Sequence, residues 1–220
     1  MLKNLWTCIV KFLLIFCFIH RKVSKVSLEQ KLLLGADTMN CWKTVNFTKQ
    51  YGSHRLFILS SLTMFFTFII LYLPVTYFFV AYSHYDQYFF QLVIGLMLLY
   101  PIHKLFHYLP IAHLGNKVVK KVELNKFYIP TIIVRINEPI SKVHFLITLC
   151  TPFLIVNILL LGVCYLFPHY VHYFTILIAF HVGICASDFI RGKDVIFAPK
   201  NSFIEENEDG IEILVLRCNL

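Results

Sequence analysis

The sequence has few charged residues. Asp, Glu, Lys and Arg make up 15% of its 220 residues, whereas roughly 25% is usual for a soluble domain. With 58% hydrophobic residues and 22 Phe, the chain has more apolar side chains than one soluble core of this length can bury, so lipid or a large partner must cover the rest. The composition therefore excludes an ordinary cytosolic protein, a disordered chain and a collagen-like repeat.

Closely spaced cysteine pairs are also missing. The sequence has seven cysteines, but no two of them form a CxxC pair. Five lie inside apolar runs, where cysteine behaves as a small hydrophobic residue. We therefore predict neither a disulfide framework nor a cysteine zinc site.

The charge that is present is mainly positive. Lys and Arg number 20 against 12 Asp and Glu, a balance that in another setting indicates nucleic acid binding. Here the basic residues cluster in short connectors beside apolar runs, which is the topology signal of a membrane protein. The sequence predicts contact with the lipid bilayer and no nucleic acid binding.

Long uncharged segments predict four membrane-spanning helices, since about 20 residues cross a bilayer. No Asp, Glu, Lys or Arg occurs in residues 56–85 or in residues 143–187. The predicted spans are 56–81, 88–109 and two helices that meet at a turn around Pro168, the second of which ends at Asp188.

The fold class that follows is a mostly α-helical, multi-pass membrane protein with small β elements. Alternating residues in 117–136 predict one or two strands in the central connector, and Asp209-Gly210 predicts a hairpin turn in the tail. We expect residues 39–190 to form the four-span membrane domain and residues 191–220 to form a cytoplasmic tail.

The first 38 residues allow two interpretations. Residues 5–19 are apolar, interrupted by Lys11 and followed by basic residues, as in a signal peptide or anchor, yet no small-residue cleavage site follows. Segment 1–38 is therefore either an N-terminal anchor with an extra apolar helix or an extension upstream of a start at Met39.

The positions of Lys and Arg predict the orientation of the spans. Basic residues are present before the first span and in the connector 114–142, but absent from the turns around Asp86 and Pro168. Lys and Arg in short loops stay on the cytoplasmic side. Both ends of residues 39–220 are therefore expected in the cytoplasm, in a protein of the cell membrane.

A charged or titratable residue inside an apolar span is costly and usually faces a site. The leading residues of this kind are His103, Lys104, His107 and Asp188. Because His103 and His107 are at positions i and i+4, both imidazoles project from one helix face and can bind one metal ion. In a chain with 10 histidines, such a pair also arises by chance, so a structural or interfacial role is the alternative.

Depth connects Asp188 with the two histidines. Counted from the predicted outer ends of their spans, His103 and Asp188 are both roughly 22–24 Å deep. Two histidines and one carboxylate leave one zinc position open for water, so zinc is the predicted cofactor. Asp188 alternatively only ends its helix at the interface. His181, on the same helix face as Asp188, is a supporting residue, another ligand or a packed core histidine.

These residues resemble a known family of bacterial multi-spanning membrane proteins, the putative zincin peptidases, which are related in layout to site-2-type intramembrane metalloproteases. The resemblance covers roughly residues 39–215. It implies His103 and His107 as metal ligands, with Asp188 at the acidic position of the later motif. It depends on the order of three elements, which are PIHKLFH at 101–107, EPISK at 138–142 leading to TPF at 151–153, and HVGICASD at 181–188.

Lys104 departs from the pattern of that family. Active zincins have HExxH, in which the Glu accepts a proton from zinc-bound water and returns it to the leaving amine. An ammonium group cannot accept a proton, and only a strongly desolvated, neutral Lys acts as a base. The resemblance therefore implies an intramembrane zinc peptidase whose activity is lost or severely reduced, with Glu138 as a candidate substitute base.

A non-enzymatic membrane scaffold or assembly factor is the main alternative function. A small transporter fits less well, because four spans leave little room for a pathway and no inverted repeat is visible. For a zincin-type protein and for a scaffold alike, the expected partners are transmembrane helices of other proteins.

Overall fold

A computed structural model describes residues 39–78, 87–112, 118–124, 130–136, 139–207 and 210–216. Its first half contains strand β1 (Met39–Asn46), the short helix α1 (Phe47–Tyr51), helix α2 (Ser53–Phe78), helix α3 (Phe89–Ile111) and strands β2 (Val118–Leu124) and β3 (Pro130–Ile136). Its second half contains strand β4 (Ile140–Ser141), helix α4 (Lys142–Leu166), a 3₁₀ turn (Pro168–Tyr170), helix α5 (Val171–Ile196) and strands β5 (Ser202–Asn207) and β6 (Gly210–Leu216).

Helices α2, α3, α4 and α5 are long and apolar enough to cross a membrane. Their outer surfaces are apolar too, since large side chains such as Phe57, Ile70 and Met97 are exposed. A helix that is apolar on all sides is typical of a core or of contact with lipid. The predicted mostly helical fold with four candidate spans is confirmed.

Helix α5 is the centre of the helical layer, where α2, α3 and α4 all pack against it. Gly183 allows α2 to approach closely, because a Cβ atom at this position would lie 2.9 Å from Cβ of Met64 and 3.0 Å from the carbonyl oxygen of Ser60. Small residues at such crossings let two helix backbones come together. The contact fixes α2 against the segment of α5 that leads to Asp188.

Four strands form an antiparallel sheet in the order β1, β6, β5, β4, while β2 and β3 form a separate antiparallel pair. The predicted hairpin of the tail is present as β5 and β6, with Asn207 opposite Gly210. The predicted strands of the connector are present as β2 and β3. Strand β1 was not expected from the sequence.

The sheet packs against one end of the helices. Its buried residues Val45, Ile204 and Ile213 form one apolar cluster with Phe145 at the start of α4 and Val195 at the end of α5. Lys142 strengthens this junction, since its Nζ atom donates hydrogen bonds to the carbonyl oxygens of Ile196 (2.8 Å) and Ala198 (2.5 Å). These carbonyls at the end of α5 would otherwise lack donors.

The predicted end of the fourth span at Asp188 is wrong, because α5 continues to Ile196. Once the helix leaves an apolar layer, charged residues are ordinary helix residues, as Arg191, Lys193 and Asp194 are here. The helix ends only where it meets the sheet. The N-terminal segment 1–38 lies outside the described residues. The division at residue 190 stays a prediction, although β1 and the tail strand β6 are neighbours in one sheet.

Candidate metal centre

The three sequence-predicted ligands come from two helices. His103 and His107 are on α3, and Asp188 is on α5. His103 lies eight residues before the end of its helix at Ile111, and Asp188 lies eight residues before the end of its helix at Ile196. A rise of 1.5 Å per residue puts both about 12 Å from the helix ends that face the sheet. The two helices therefore present these side chains at one level.

One atom from each of these three side chains lies close to the other two. Nε2 of His103 lies 3.1 Å from Oδ2 of Asp188, and Nε2 of His107 lies 3.2 Å from the same oxygen. The two Nε2 atoms are 3.1 Å apart. Ligands at roughly 2.0–2.1 Å around a tetrahedral zinc ion are about 3.3 Å from one another. The observed triangle has nearly these dimensions.

The other ring nitrogen of His107 fixes the protonation of this imidazole. Nδ1 of His107 lies 3.0 Å from the carbonyl oxygen of Thr148 on α4. A carbonyl only accepts hydrogen bonds, so Nδ1 carries the proton, and Nε2 of a neutral imidazole presents its lone pair to Asp188. A histidine that binds metal usually donates its second ring N–H in this way.

Pro152 explains why the carbonyl of Thr148 is available. In a regular α-helix this carbonyl accepts a hydrogen bond from the amide four residues later, but that residue is Pro152, which has no amide hydrogen. Both residues are buried. The proline therefore leaves a backbone acceptor that faces His107.

The converging atoms could hold a metal ion between them. Two imidazole nitrogens and a carboxylate oxygen within 3.2 Å of one another are all acceptors when the imidazoles are neutral. One proton can lie between only two of the three atoms, whereas a metal ion contacts all three. The donor set of His103, His107 and Asp188 therefore fits a zinc ion, with one coordination position left for another ligand.

A second cluster adjoins the first one on the far side of His103. Nδ1 of His103 lies 3.2 Å from Nε2 of His181, and Sγ of Cys185 lies 3.8 Å and 3.7 Å from these two nitrogens. Nδ1 of His181 lies 3.2 Å from Oδ1 of Asn157. His181 is thus packed in the core beside the candidate ligands, where it contacts His103, Asn157 and Cys185.

A cavity reaches the three-atom triangle from the side of His107 and Asp188. Both side chains line it, together with Lys104, Arg191 and Glu206. His103 lies deeper, at 1% exposure. The Nζ atom of Lys104 is also 6.0 Å from the ring centre of Tyr100, within the range of a cation–π contact. A molecule in the cavity would meet charges of both signs beside the candidate metal site.

Sequence reasoning identified the three converging side chains and Lys104, but missed their surroundings. The Thr148 carbonyl, Asn157 on α4 and Glu206 on β5 were not expected. Pro152 was the available signal for Thr148, since a proline inside a helix always frees the carbonyl four residues earlier. Glu138, the predicted substitute base, lies outside the described residues.

Comparison with known proteins gives one match. A family model described as a putative zincin peptidase matches residues 96–203. No curated protein and no solved structure matches the chain. The matched segment contains His103, His107 and Asp188, as well as Pro152 and the cavity residue Arg191. By this match, residues 96–203 are similar to the family of putative zincin peptidases.

Proposed function

We propose that this protein is a membrane-embedded zinc-binding member of the zincin peptidase family, in which the peptidase reaction is lost or severely reduced. The observation that carries the proposal is the triangle of Nε2 of His103, Nε2 of His107 and Oδ2 of Asp188, with sides of 3.1–3.2 Å. The protonation of His107 at Nδ1 adds support, since it leaves the lone pair of Nε2 for a metal ion.

Zinc in such a site acts as a Lewis acid and lowers the pKa of a bound water molecule. The cavity beside His107 and Asp188 gives water or a peptide access to the site. A peptidase also needs a group that accepts the proton of that water and delivers it to the leaving amine. In HExxH the Glu after the first histidine supplies this group. In this chain the residue after His103 is Lys104.

Lys104 is the reason to propose a degenerate enzyme. Lys104 lines the cavity together with His107 and Asp188, so a positive charge on its side chain would repel a bound metal ion. Asp188 is one of the proposed ligands. Glu206 is the other acidic side chain among the described residues that line this cavity, and it is the first candidate for a base if cleavage occurs.

The proposed location is the cell membrane, with both ends of residues 39–220 in the cytoplasm. The rings of Tyr88 and Tyr170 are 5.3 Å apart, so the start of α3 and the start of α5 are neighbours at one end of the helices. The sheet packs at the opposite helix ends, next to the basic connector. Transmembrane helices of other proteins are the proposed partners.

Zinc content tests the proposal. The full chain, purified in detergent without chelators, should contain about one zinc ion per chain. His107→Ala and Asp188→Ala should each remove it, because two ligands rarely hold zinc. His169→Ala is the matched control, since this histidine is in the 3₁₀ turn at the other end of α4, and it should retain the zinc.

Two results would contradict the proposal. One is a folded protein that stays metal-free even after incubation with zinc. The other is retention of zinc by the His107 and Asp188 variants. Metal-free protein would favour the non-enzymatic scaffold or assembly factor, because the family fold would then be kept without its metal.

A further inference from the structure

A chain of buried hydrogen bonds continues from the candidate metal site into the protein. It starts at Nδ1 of His103 on α3, passes through His181 on α5 and Asn157 on α4, and ends at the carbonyl oxygen of Phe153. The exposed fractions of His103, His181 and Asn157 are 1%, 0% and 9%. The three side chains are therefore largely shielded from bulk water.

The direction of each hydrogen bond follows from the final acceptor of the chain, the carbonyl oxygen of Phe153. Nδ2 of Asn157 donates to the carbonyl oxygen of Phe153 at 2.8 Å, so the amide oxygen Oδ1 faces His181. An amide oxygen only accepts, and Nδ1 of His181, 3.2 Å away, must therefore carry the proton. Nε2 of the neutral His181 is then an acceptor.

The same reasoning assigns the ring proton of His103, the candidate metal ligand. Nε2 of His181 accepts a hydrogen bond from Nδ1 of His103 at 3.2 Å. With its proton on Nδ1, His103 presents the lone pair of Nε2 to Asp188. The amide side chain of Asn157 on α4 thus determines which nitrogen of His103 is free for a metal ion. It acts through His181 on α5.

We propose that His181 and Asn157 are positioning residues, which hold His103 in the orientation and tautomer that zinc binding requires. The proposal rests on the proposed zinc site. It assigns a function to a buried histidine and a buried asparagine that would otherwise be unexplained polar groups in an apolar core. It also explains why three helices meet at this level, because each one contributes a member of the chain.

A second metal ion between His103, His181 and Cys185 is the competing explanation, since their ligand atoms are 3.2–3.8 Å apart. A metal ion there would take the lone pair of Nδ1 of His103 while the zinc ion takes that of Nε2. His103 would then have to lose both ring protons. One proton on Nδ1 satisfies the contact with His181 without this cost, so we favour the hydrogen bond.

The test compares variants that remove an acceptor with variants that keep one. His181→Leu and Asn157→Leu should lower the zinc affinity of the full chain by about 10–100-fold, as loss of groups that orient metal ligands usually does. His181→Gln and Asn157→Asp retain an acceptor oxygen and should stay within a few-fold of the native affinity. Competition with a chelator gives the affinity, and cobalt(II) absorption reports the ligand geometry.

Cys185→Ala separates the hydrogen-bonded chain from a second metal site, because Sγ of Cys185 contacts ring nitrogens of His103 and His181 but the chain from His103 to Asn157 does not pass through it. This variant should change neither the zinc affinity nor the cobalt spectrum. Two zinc ions per chain, one of them lost in Cys185→Ala, would overturn the proposal in favour of a second metal site.

Four other results separate the possible failures. Native affinity and a native cobalt spectrum in both Leu variants would overturn the positioning role. Equal loss in the Leu variants and in the acceptor-keeping variants would also overturn it, since the residues would then only support the fold. If His107→Ala, outside this chain, leaves the zinc content unchanged, the zinc site itself is wrong. If it removes the zinc while His181→Leu has no effect, only the positioning role is wrong.

Discussion

Nδ1 of His107 donates a hydrogen bond of 3.0 Å to the carbonyl oxygen of Thr148, across the boundary between α3 and α4. The contact joins the histidine pair of α3 to the turn of α4 just before Pro152, two segments that are far apart in sequence. Its acceptor exists because Pro152 cannot supply the amide hydrogen that would normally occupy it. The proline thus contributes to a metal site that it does not touch.

Replacement of this proline should weaken zinc binding. Pro152→Ala supplies an amide hydrogen that competes with His107 for the carbonyl of Thr148. Because a carbonyl oxygen has two lone pairs, we expect a loss of about tenfold in zinc affinity, the lower end of the range for such supporting contacts. Pro74→Ala, near the C-terminal end of α2, is the control and should leave the affinity unchanged. Native affinity in Pro152→Ala would mean that the contact is dispensable.

The proposed loss of peptidase activity depends on Lys104. Lys104→Glu should raise zinc affinity and bring cleavage of single-span reporter helices in proteoliposomes, because general bases typically contribute about 10²–10⁴-fold. Lys104→Gln removes the charge without adding a base, so it should raise zinc affinity and leave cleavage absent.

Both Lys104 variants must be compared at confirmed zinc occupancy. Cleavage by the native chain that disappears in His103→Ala would contradict the degenerate-enzyme account. Glu206→Gln would then be the first variant to examine for loss of cleavage, because Glu206 lines the same cavity.

The orientation of the chain is accessible to reporter fusions. Fusions after Asp86 and after His169 should report the outer side of the membrane, because the basic residues lie in the other connectors. A fusion after Leu216 should report the cytoplasm. A cytoplasmic signal at either turn would contradict the topology without affecting the metal site.

The crossing of α2 and α5 should be sensitive to a single methyl group. In Gly183→Ala the new Cβ atom would lie 2.9 Å from Cβ of Met64, which requires the helices to separate, and such overpacking costs about 1–3 kcal/mol. In Gly95→Ala the nearest atom is Cδ2 of Leu177 at 3.3 Å, and this flexible side chain can move. Thermal unfolding in detergent should show a lower midpoint for Gly183→Ala than for Gly95→Ala, and equal midpoints would disprove the tight crossing.

Much of this architecture was predictable because apolar segments of span length are read directly from the sequence. The approach of His103, His107 and Asp188 was predictable from helix periodicity and from equal depth. The end of α5 was not, since charged residues after Asp188 resemble the end of a span, whereas the helix continues until the sheet stops it. Periodicity also shows nothing of β1, whose partner β6 lies at the other end of the chain.

The surroundings of the candidate ligands were less predictable for a different reason. The acceptor for His107 is a backbone carbonyl, which every residue has, so no letter of the sequence marks it. Asn157 and His181 meet because α4 and α5 pack against each other, a contact that the periodicity of either helix alone does not specify. The proline at 152 was the one local indication that a free carbonyl would be present.

X-ray absorption at the zinc edge tests the central claim most directly. The zinc-loaded full chain should show a shell of nitrogen and oxygen atoms only, at about 2.0–2.1 Å, with the signature of two imidazoles, because His103, His107 and Asp188 offer no sulfur. A sulfur atom at about 2.3 Å would place the metal between His103, His181 and Cys185 instead, and would contradict the account.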